Sequence, residues 1–330
     1  MSRAIWRCPI SGKDSLATFM IARHLYKDVE IEPYFVDVEA ELPETYEWLD
    51  KVERELGIKI TRISRSLIHV MYDQGFLPGP KTRYCTRKTK LPGAEEISGS
   101  NSIVMLIGLR SDEADRTGYN PTNPNIEVRY PLQEAGIDLA GVYTIVNAKG
   151  LKPPTFFWQT MYDMVLKMCG NDPEIIRVIE SLPEWVFDRL FAGRTRNNCF
   201  FCFFQKIIEW IWLHETHPEL FEQSQVLETD LGSGDRRQDR CDVEVDQGLF
   251  HNELPSTITV NKDPGYYFIG KGRPLSSILK KKDHYIRKRA KEILKLLQQA
   301  ANRKGGFIPY EHDAMDIFGY QKSCGFMCGK

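Results

Sequence analysis

Apolar and polar positions follow two different periods in the first half of the chain. Leu16, Phe19 and Met20 recur at helical spacing, which predicts a helix over 16–26, and a similar pattern predicts a second helix over 44–56. Short apolar runs, which we interpret as strands, cover 5–8, 31–38, 58–63 and 102–109. Because strands and helices alternate, we expect parallel pairing with right-handed crossovers, and hence an α/β fold with a doubly wound, mostly parallel sheet.

The second half is predominantly helical in pattern. Predicted helices cover 156–168, 173–182, 185–191 and 205–213. A polar stretch at 229–246 is followed by a predicted hairpin at 257–270 and a basic helix at 276–302. We therefore predict a domain over 1–230 and an accessory C-terminal region over 231–330, which carries the basic helix and a cysteine-containing tail.

Composition narrows the class of protein. The 330 residues carry a net charge of −1 and are 42% hydrophobic, and no apolar run reaches the roughly 18 residues that a membrane helix needs. No secretory signal is recognisable at the N-terminus, so we expect a cytoplasmic protein without a membrane partner. In that compartment the eight cysteines are more typical of thiols, metal ligands or catalytic groups than of disulfides.

The loop between the first strand and the first helix has the features of a phosphate cradle. Its sequence is Cys8-Pro-Ile-Ser-Gly-Lys-Asp-Ser15. A small, glycine-containing turn before a helix lets backbone N–H groups converge on phosphate oxygens, and a lysine adds a mobile charge. The candidate nucleotide-binding residues are Ser11, Gly12, Lys13, Asp14 and Ser15, of which the last three are also candidate catalytic residues.

Two further stretches are expected at the same edge of the sheet, where ligands of such folds bind. Asp37 ends the second strand and can accept hydrogen bonds from a ribose or an adenine amino group, although helix capping is the simpler role for acidic residues here. The segment after the strand 102–109 supplies Gly108, Arg110, Glu113 and Arg116. Two arginines can neutralise a polyphosphate, while acidic groups hold Mg²⁺ or orient the arginines.

Cysteines form the last group of candidates. Cys85 lies among five cationic residues, and cations either lower the pKa of a thiol or bind an anion. Cys199 and Cys202 form a C-x-x-C pair. Such a pair can bind zinc, perform redox chemistry or ligate an iron–sulfur cluster, or it can consist of two buried structural thiols. The tail adds Cys324 and Cys328.

In this order the motifs resemble those of the phosphoadenosine phosphosulfate reductase superfamily, with its PP-loop and adenine nucleotide alpha hydrolase-like fold. Gly12-Lys-Asp-Ser15 resembles the end of the PP-loop, 37–46 the Asp-Thr-Gly-x-x-Phe-Pro-Glu-Thr segment, 85–92 the Cys-Thr-Arg-x-x-Lys-x-x-Pro element and 108–116 the Gly-x-Arg-x-x-Glu-Ser-x-x-Arg element. Ile10, Ser11 and Ala114 depart from these patterns. The resemblance implies ATP with Mg²⁺ as cofactor and a [4Fe–4S] cluster on Cys85, Cys199 and Cys202, with Cys241, Cys324 or Cys328 as candidates for the fourth ligand.

The resemblance is closest to the ATP pyrophosphatases of DNA phosphorothioation. Retention of Lys13 favours cleavage of ATP, with adenylylation of a nucleic-acid or related acceptor for sulfur transfer and release of pyrophosphate. The alternatives are reduction of adenylyl sulfate or phosphoadenylyl sulfate to sulfite with Cys324 as nucleophile, and a nucleotide-sensing module without enzymatic activity. Candidate partners are a cysteine desulfurase or a thioredoxin-type donor, and a second copy of the chain.

Overall fold

The computed structural model describes most of the chain. The described residues are 4–80, 82–90, 92, 102–113, 121, 123–194, 196–232 and 265–302. Three of the candidate residues, Arg116, Cys324 and Cys328, lie outside these ranges, as does Cys241.

A five-stranded, all-parallel sheet organises the first half, with the strands in the order β3-β2-β1-β4-β5. The strands are β1 (Ile5–Pro9), β2 (Ile31–Asp37), β3 (Thr61–Ser64), β4 (Ile103–Leu106) and β5 (Ile126–Arg129). The order reverses between β1 and β4, and in open sheets of this kind the crevice beyond the strand ends at the reversal point binds the ligand. The predicted α/β fold with a parallel sheet is confirmed.

Helices accompany this sheet, and both of its faces carry buried apolar side chains. The helices of this half are α1 (Lys13–Leu25), α2 (Pro43–Leu56), α3 (Leu67–Gln74), α4 (Pro131–Glu134) and α5 (Leu139–Asn147). Phe35 and Val104 pack in one cluster with side chains from α1, α2 and α5. Tyr34 and Met105, their strand neighbours, pack in a separate cluster. Successive strand residues point to opposite faces, so the sheet is buried on both sides, as parallel sheets generally are.

The second half is helical, as its pattern predicts. It contains α6 (Gln159–Met168), α7 (Pro173–Glu180), α8 (Glu184–Phe191), α9 (Ile207–Thr216), α10 (Pro218–Leu231), α11 (Ser276–Leu279), α12 (Lys282–Ala301) and a short antiparallel hairpin of β6 (Tyr266–Tyr267) and β7 (Gly270–Lys271). Only the end of the predicted hairpin 257–270 falls within the described residues. One hydrophobic cluster joins α12 to α6, α9 and α10, so residues from both sides of position 230 share a core. The domain boundary stays a prediction.

Several elements differ from the sequence pattern. The strand predicted at 58–63 lies at Thr61–Ser64, because Ile60 belongs to the preceding turn, where its N–H donates to the Glu53 carboxylate (2.7 Å). The strand β5 and the helices α3, α4 and α10 were not predicted, and the polar stretch predicted to begin at 229 begins within α10, which extends to Leu231. Among the described residues, no helix is both long and apolar enough to cross a membrane.

Candidate nucleotide site and thiol corner

The loop that joins β1 to α1 is shaped by one hydroxyl group. Ser15 Oγ accepts hydrogen bonds from the N–H groups of Ser11 (2.9 Å) and Gly12 (3.1 Å), and donates one to the Gly12 carbonyl (3.0 Å). Ile10 is fully buried and its N–H donates to the Tyr34 carbonyl (2.7 Å). Ile10, which departs from the PP-loop pattern, therefore has its side chain in the core. Because the N–H groups of Ser11 and Gly12 are bonded to Ser15, it is the N-terminus of α1, beginning at Lys13, that favours an anion.

The space around this loop is open on one side and closed on the other. A Cβ atom at Gly12 would have no neighbouring atom within 4 Å, so the loop has room for a phosphate group above it. A Cβ atom at Gly108 would lie 3.0 Å from the Asp14 carbonyl carbon and 3.1 Å from the Ser15 nitrogen. Gly108 thus lets the segment after β4 pack directly against the start of α1.

Asp14 lies at the centre of a charged network. Its carboxylate contacts Lys13 Nζ (2.6 Å) and Arg110 Nη1 (3.0 Å). Desolvation alone would raise the pKa of Asp14, but the positive charges of Lys13 and Arg110 outweigh it and hold that pKa well below its usual range. Asp14 therefore stays ionised, and Lys13 is held beside it at the mouth of the loop.

Arg110 is buried, with 3% of its surface exposed, and its guanidinium group is held by carboxylates. Nε and Nη2 donate to Asp112 (2.8 and 3.0 Å), and Glu113 lies 3.7 Å from Nη2. Burial would lower the pKa of Arg110, but Asp14 and the two neighbouring carboxylates raise it instead. Arg110 and Glu113 thus form the support beneath Asp14.

Asp37 stabilises the loop that follows β2. Its Oδ1 atom accepts from the Glu39 N–H and from the Tyr46 hydroxyl, both at 2.8 Å. Burial and the bond to Asp37 raise the pKa of Tyr46, so the phenol stays a hydrogen-bond donor. Glu44, the other acidic residue of this stretch, contacts His217 Nε2 at 2.9 Å and so connects α2 to the helical half.

The three cysteines that the sequence singles out within the described residues lie in one region, which we call the thiol corner (Cys85, Cys199 and Cys202). Burial and the nearby Glu41 carboxylate raise the pKa of Cys199 well above its usual value, and the other two thiols act in the same direction. Cys85 packs against the helical core and precedes a π-helical turn at Thr86–Lys90. None of the three forms a disulfide.

The C-x-x-C segment is fixed by backbone bonds. The Phe200 N–H donates to the Ala40 carbonyl (2.8 Å), just beyond the end of β2, and the Cys202 N–H donates to the Cys199 carbonyl (3.0 Å). The buried guanidinium group of Arg194 donates to the Cys199 carbonyl (2.7 Å) and to the Asn198 side chain (2.6 Å). These bonds hold the thiol corner against the loop that follows β2.

The thiol corner has the right kind of donors for an iron–sulfur cluster, since such clusters take cysteine thiolates. Among the residues that the structure describes, however, no three Cys, His, Asp or Glu side chains are grouped so as to hold a metal ion. The same holds for Asp14, Asp112 and Glu113, whose carboxylates surround Arg110.

Two buried charged residues of this region were not singled out as site residues from the sequence. Glu41, 8% exposed, lies near both Cys199 and Arg194, and Arg194 itself is 1% exposed. Burial raises the pKa of Glu41, although the cations Lys90 and Arg194 oppose this shift. Glu41 lies inside the acidic stretch 37–46, but its burial cannot be inferred from the sequence, and Arg194 belongs to no motif.

Comparison with known proteins agrees with this geometry. Residues 8–123 match the family model of the phosphoadenosine phosphosulfate reductase domain. Over 217 residues the chain is 24% identical to Uncharacterized protein MJ0066 of Methanocaldococcus jannaschii, an alignment that covers 64% of this chain and 38% of that protein. The chain therefore spans well under half the length of this relative. Over residues 8–123 the chain is therefore similar to the phosphoadenosine phosphosulfate reductase domain, and its parallel sheet agrees with an adenine nucleotide alpha hydrolase-like fold.

Proposed function

We propose that the protein is an AMP-forming ATP pyrophosphatase that adenylylates an acceptor, a nucleic acid or a related molecule, for sulfur transfer. The observation that carries this proposal is the placement of Lys13 at the open mouth of the loop, paired with an ionised Asp14. An enzyme that only bound a sulfonucleotide would have no β- and γ-phosphates for this lysine to meet.

The proposed reaction is a displacement at the α-phosphorus of ATP. An acceptor oxygen forms a bond to that phosphorus, the bond to the bridging oxygen breaks, and pyrophosphate leaves. Lys13 moves from Asp14 to the leaving phosphates, where its charge offsets the charge that develops on them. Arg110 stays beside Asp14 and acts as a positioning residue, because its contacts keep the start of α1 in place.

Mg²⁺, when bound, would contribute further charge neutralisation. Proteins commonly bind it through one or two carboxylates together with substrate phosphates and water. Because Lys13 and Arg110 already occupy the carboxylates of Asp14, Asp112 and Glu113, Mg²⁺ would be held here mainly by the substrate phosphates and water.

Sulfur would then displace the adenylylated oxygen from the acceptor: a bond from sulfur to the acceptor forms, the acceptor–oxygen bond breaks, and AMP leaves with that oxygen as the second product. A cysteine desulfurase or a thioredoxin-type protein is the proposed donor of sulfur or electrons. From the resemblance of Cys85 and the C-x-x-C pair to cluster ligands, we also propose a [4Fe–4S] cluster at the thiol corner, which requires the three thiols to come closer together than they lie in this structure. Its fourth ligand would be Cys241, Cys324, Cys328 or an external sulfur. Anaerobic purification with an iron count and an absorption spectrum tests this directly. Protein that stays colourless and iron-free after anaerobic reconstitution would refute it.

Hydrolysis of ATP, in which water takes the place of the acceptor, tests the main proposal: ATP labelled at the α-phosphorus reports AMP, and a separate assay reports the unlabelled pyrophosphate. We expect AMP and pyrophosphate from the wild type, and a loss of about a hundredfold or more in rate from Lys13→Ala, by analogy with removal of other groups that stabilise developing charge. Lys59→Ala removes a lysine whose side chain is 87% exposed and serves as the matched control, with an unchanged rate.

Other products would contradict the proposal in distinct ways. ADP and phosphate would exclude pyrophosphatase chemistry. Sulfite released from adenylyl sulfate or phosphoadenylyl sulfate, and lost in Cys324→Ser, would establish the reductase instead. Nucleotide binding without turnover of either substrate would leave a sensing module.

A further inference from the structure

A second cavity lies on the helical side of the molecule, outside the loop that follows β1. Its volume is about 510 Å³, which is within the range of small-molecule sites. Three segments line it: the turn 78–80, the stretch 203–207 that leads into α9, and the hairpin turn 267–270, together with Arg196. None of these residues has a role in the nucleotide site described above.

Aromatic rings form part of the cavity wall. Phe203 and Phe204 lie with their ring centroids 4.4 Å apart and are only half-buried, and Tyr267 lines the cavity from the hairpin. The guanidinium group of Arg83 lies over the Phe204 ring, 5.5 Å from its centroid. Partly exposed rings beside a guanidinium group provide a surface on which a nucleobase can stack.

The charge of the wall complements an anion. Arg196 and Lys206 both line the cavity, and Arg289 lies close enough to affect Lys206. Burial lowers the pKa of Lys206; the Glu209 carboxylate opposes this shift, while the two arginines add to it. An anion bound between these cations would offset their mutual repulsion, as phosphates do in nucleic-acid sites.

The cavity adjoins the thiol corner. The Gln205 N–H donates to the Cys202 carbonyl (2.9 Å), so the cavity wall begins directly after the C-x-x-C segment. Phe201, between the two cysteines, stacks on Phe268 of the hairpin at 5.9 Å. A ligand in the cavity would therefore lie next to the half-buried Cys202.

We propose that this cavity binds one nucleotide unit of a single-stranded nucleic acid, with the base against Phe203 and Phe204 and the phosphate at Lys206 and Arg196. The proposal rests on the proposed function, since it assigns a place to the acceptor. The base would be held by Phe203 and Phe204, which belong to the segment before α9 and not to the basic helix α12.

Fluorescence anisotropy of a fluorescein-labelled oligouridine of about ten nucleotides tests the proposal on the full chain without ATP. We expect binding that weakens as salt rises, because phosphate contacts release counterions. An oligothymidine of the same length separates RNA from DNA. Excess UMP tests whether a free nucleotide suffices, and displacement of the oligonucleotide by UMP alone would assign the cavity to a mononucleotide.

Two variants have different expected signatures. Lys206→Met removes one phosphate contact and is expected to reduce the slope of log affinity against log salt by about 0.7. Phe204→Leu removes a stacking ring and is expected to weaken binding by about tenfold at every salt concentration, with the slope unchanged. The matched controls are Lys288→Met, on the exposed surface of α12, and Phe157→Leu, an aromatic residue that is 42% exposed elsewhere.

Several outcomes would overturn the proposal. The first is a wild type that binds neither oligonucleotide. The second is a pair of cavity variants that bind like the wild type while their circular dichroism is unchanged. The third is a loss of affinity in Lys288→Met as large as in Lys206→Met, which would place the nucleic acid on α12. Because binding is measured without ATP and ATP cleavage without oligonucleotide, either proposal can fail while the other holds.

Discussion

Gly12, in the nucleotide loop, and Gly108, in the segment after β4, have different steric surroundings. A Cβ atom added at Gly12 would have no neighbouring atom within 4 Å. One added at Gly108 would lie 3.0–3.1 Å from backbone atoms of Asp14 and Ser15. Gly12 has an extended backbone that alanine also adopts, with φ 177° and ψ −173°. An added methyl group at each position therefore reports on a different property of the loop.

We expect Gly12→Ala to leave the free energy of unfolding within about 0.5 kcal/mol of the wild type while it weakens ATP binding, because its methyl group would occupy space that the phosphates need. Gly108→Ala forces the backbone of α1 to shift and is expected to cost about 1–3 kcal/mol of stability. Urea unfolding and titration with ATP measure the two effects. Full ATP affinity in Gly12→Ala would place the phosphates elsewhere.

At the scale of elements, α9 depends on a glycine in the segment before it. A Cβ atom at Gly193 would lie 1.9 Å from Cδ1 of Trp212, a buried side chain of α9, and the Gly193 N–H donates to the Phe156 carbonyl (2.9 Å). The backbone therefore runs directly over the indole ring, next to the buried Arg194 that holds the C-x-x-C segment.

We expect Gly193→Ala to destabilise the protein by about 3 kcal/mol or more, because neither the indole ring nor the hydrogen-bonded backbone can move away without disrupting the core. Urea unfolding followed by tryptophan fluorescence measures this. The double variant Gly193→Ala, Trp212→Leu should recover part of the loss. No recovery would mean that the cost does not come from the contact with Trp212.

At the scale of the whole molecule, a buried carboxylate connects segments on either side of 233–264. Glu228, on α10 and 4% exposed, accepts hydrogen bonds from the N–H groups of Leu275 (2.7 Å) and Phe268 (3.1 Å). Burial raises the pKa of Glu228 to about 7, although these two N–H groups oppose the rise. The hairpin that lines the second cavity is thus held by a group that titrates near neutral pH.

This pKa predicts a pH dependence of folding. Because the folded protein binds the Glu228 proton more tightly than the unfolded chain, the stability contributed by this group is fully present below about pH 4.5 and is lost as pH rises through about 7. The loss is at most about 3 kcal/mol. Glu228→Gln should remove this part of the pH dependence of urea unfolding, whereas Glu222→Gln, on the exposed surface of α10, should retain it. The same slope in both variants would contradict the prediction.

Periodicity and turn residues were sufficient to predict the parallel sheet and the helical second half. The loop at Lys13 and the segment at Arg110 were placed correctly at one edge because the carboxyl ends of parallel strands meet there. The sequence could not reveal that Arg110 is buried beneath Asp14, because burial of a charge depends on partners distant in the chain. For the same reason, no local pattern in the sequence predicts that Glu41 lies near Cys199.

The hydrogen bond from the Phe200 N–H to the Ala40 carbonyl joins two segments that are 160 positions apart. We predict that a ligand that repositions the loop after β2, such as an adenosine bound at Asp37, changes the geometry of the C-x-x-C segment through that bond. The coupling is reciprocal: whatever occupies the thiols changes nucleotide affinity by the same factor by which the nucleotide changes theirs. A change in the redox state or sulfur loading of the cysteines would then change the dissociation constant for ATP.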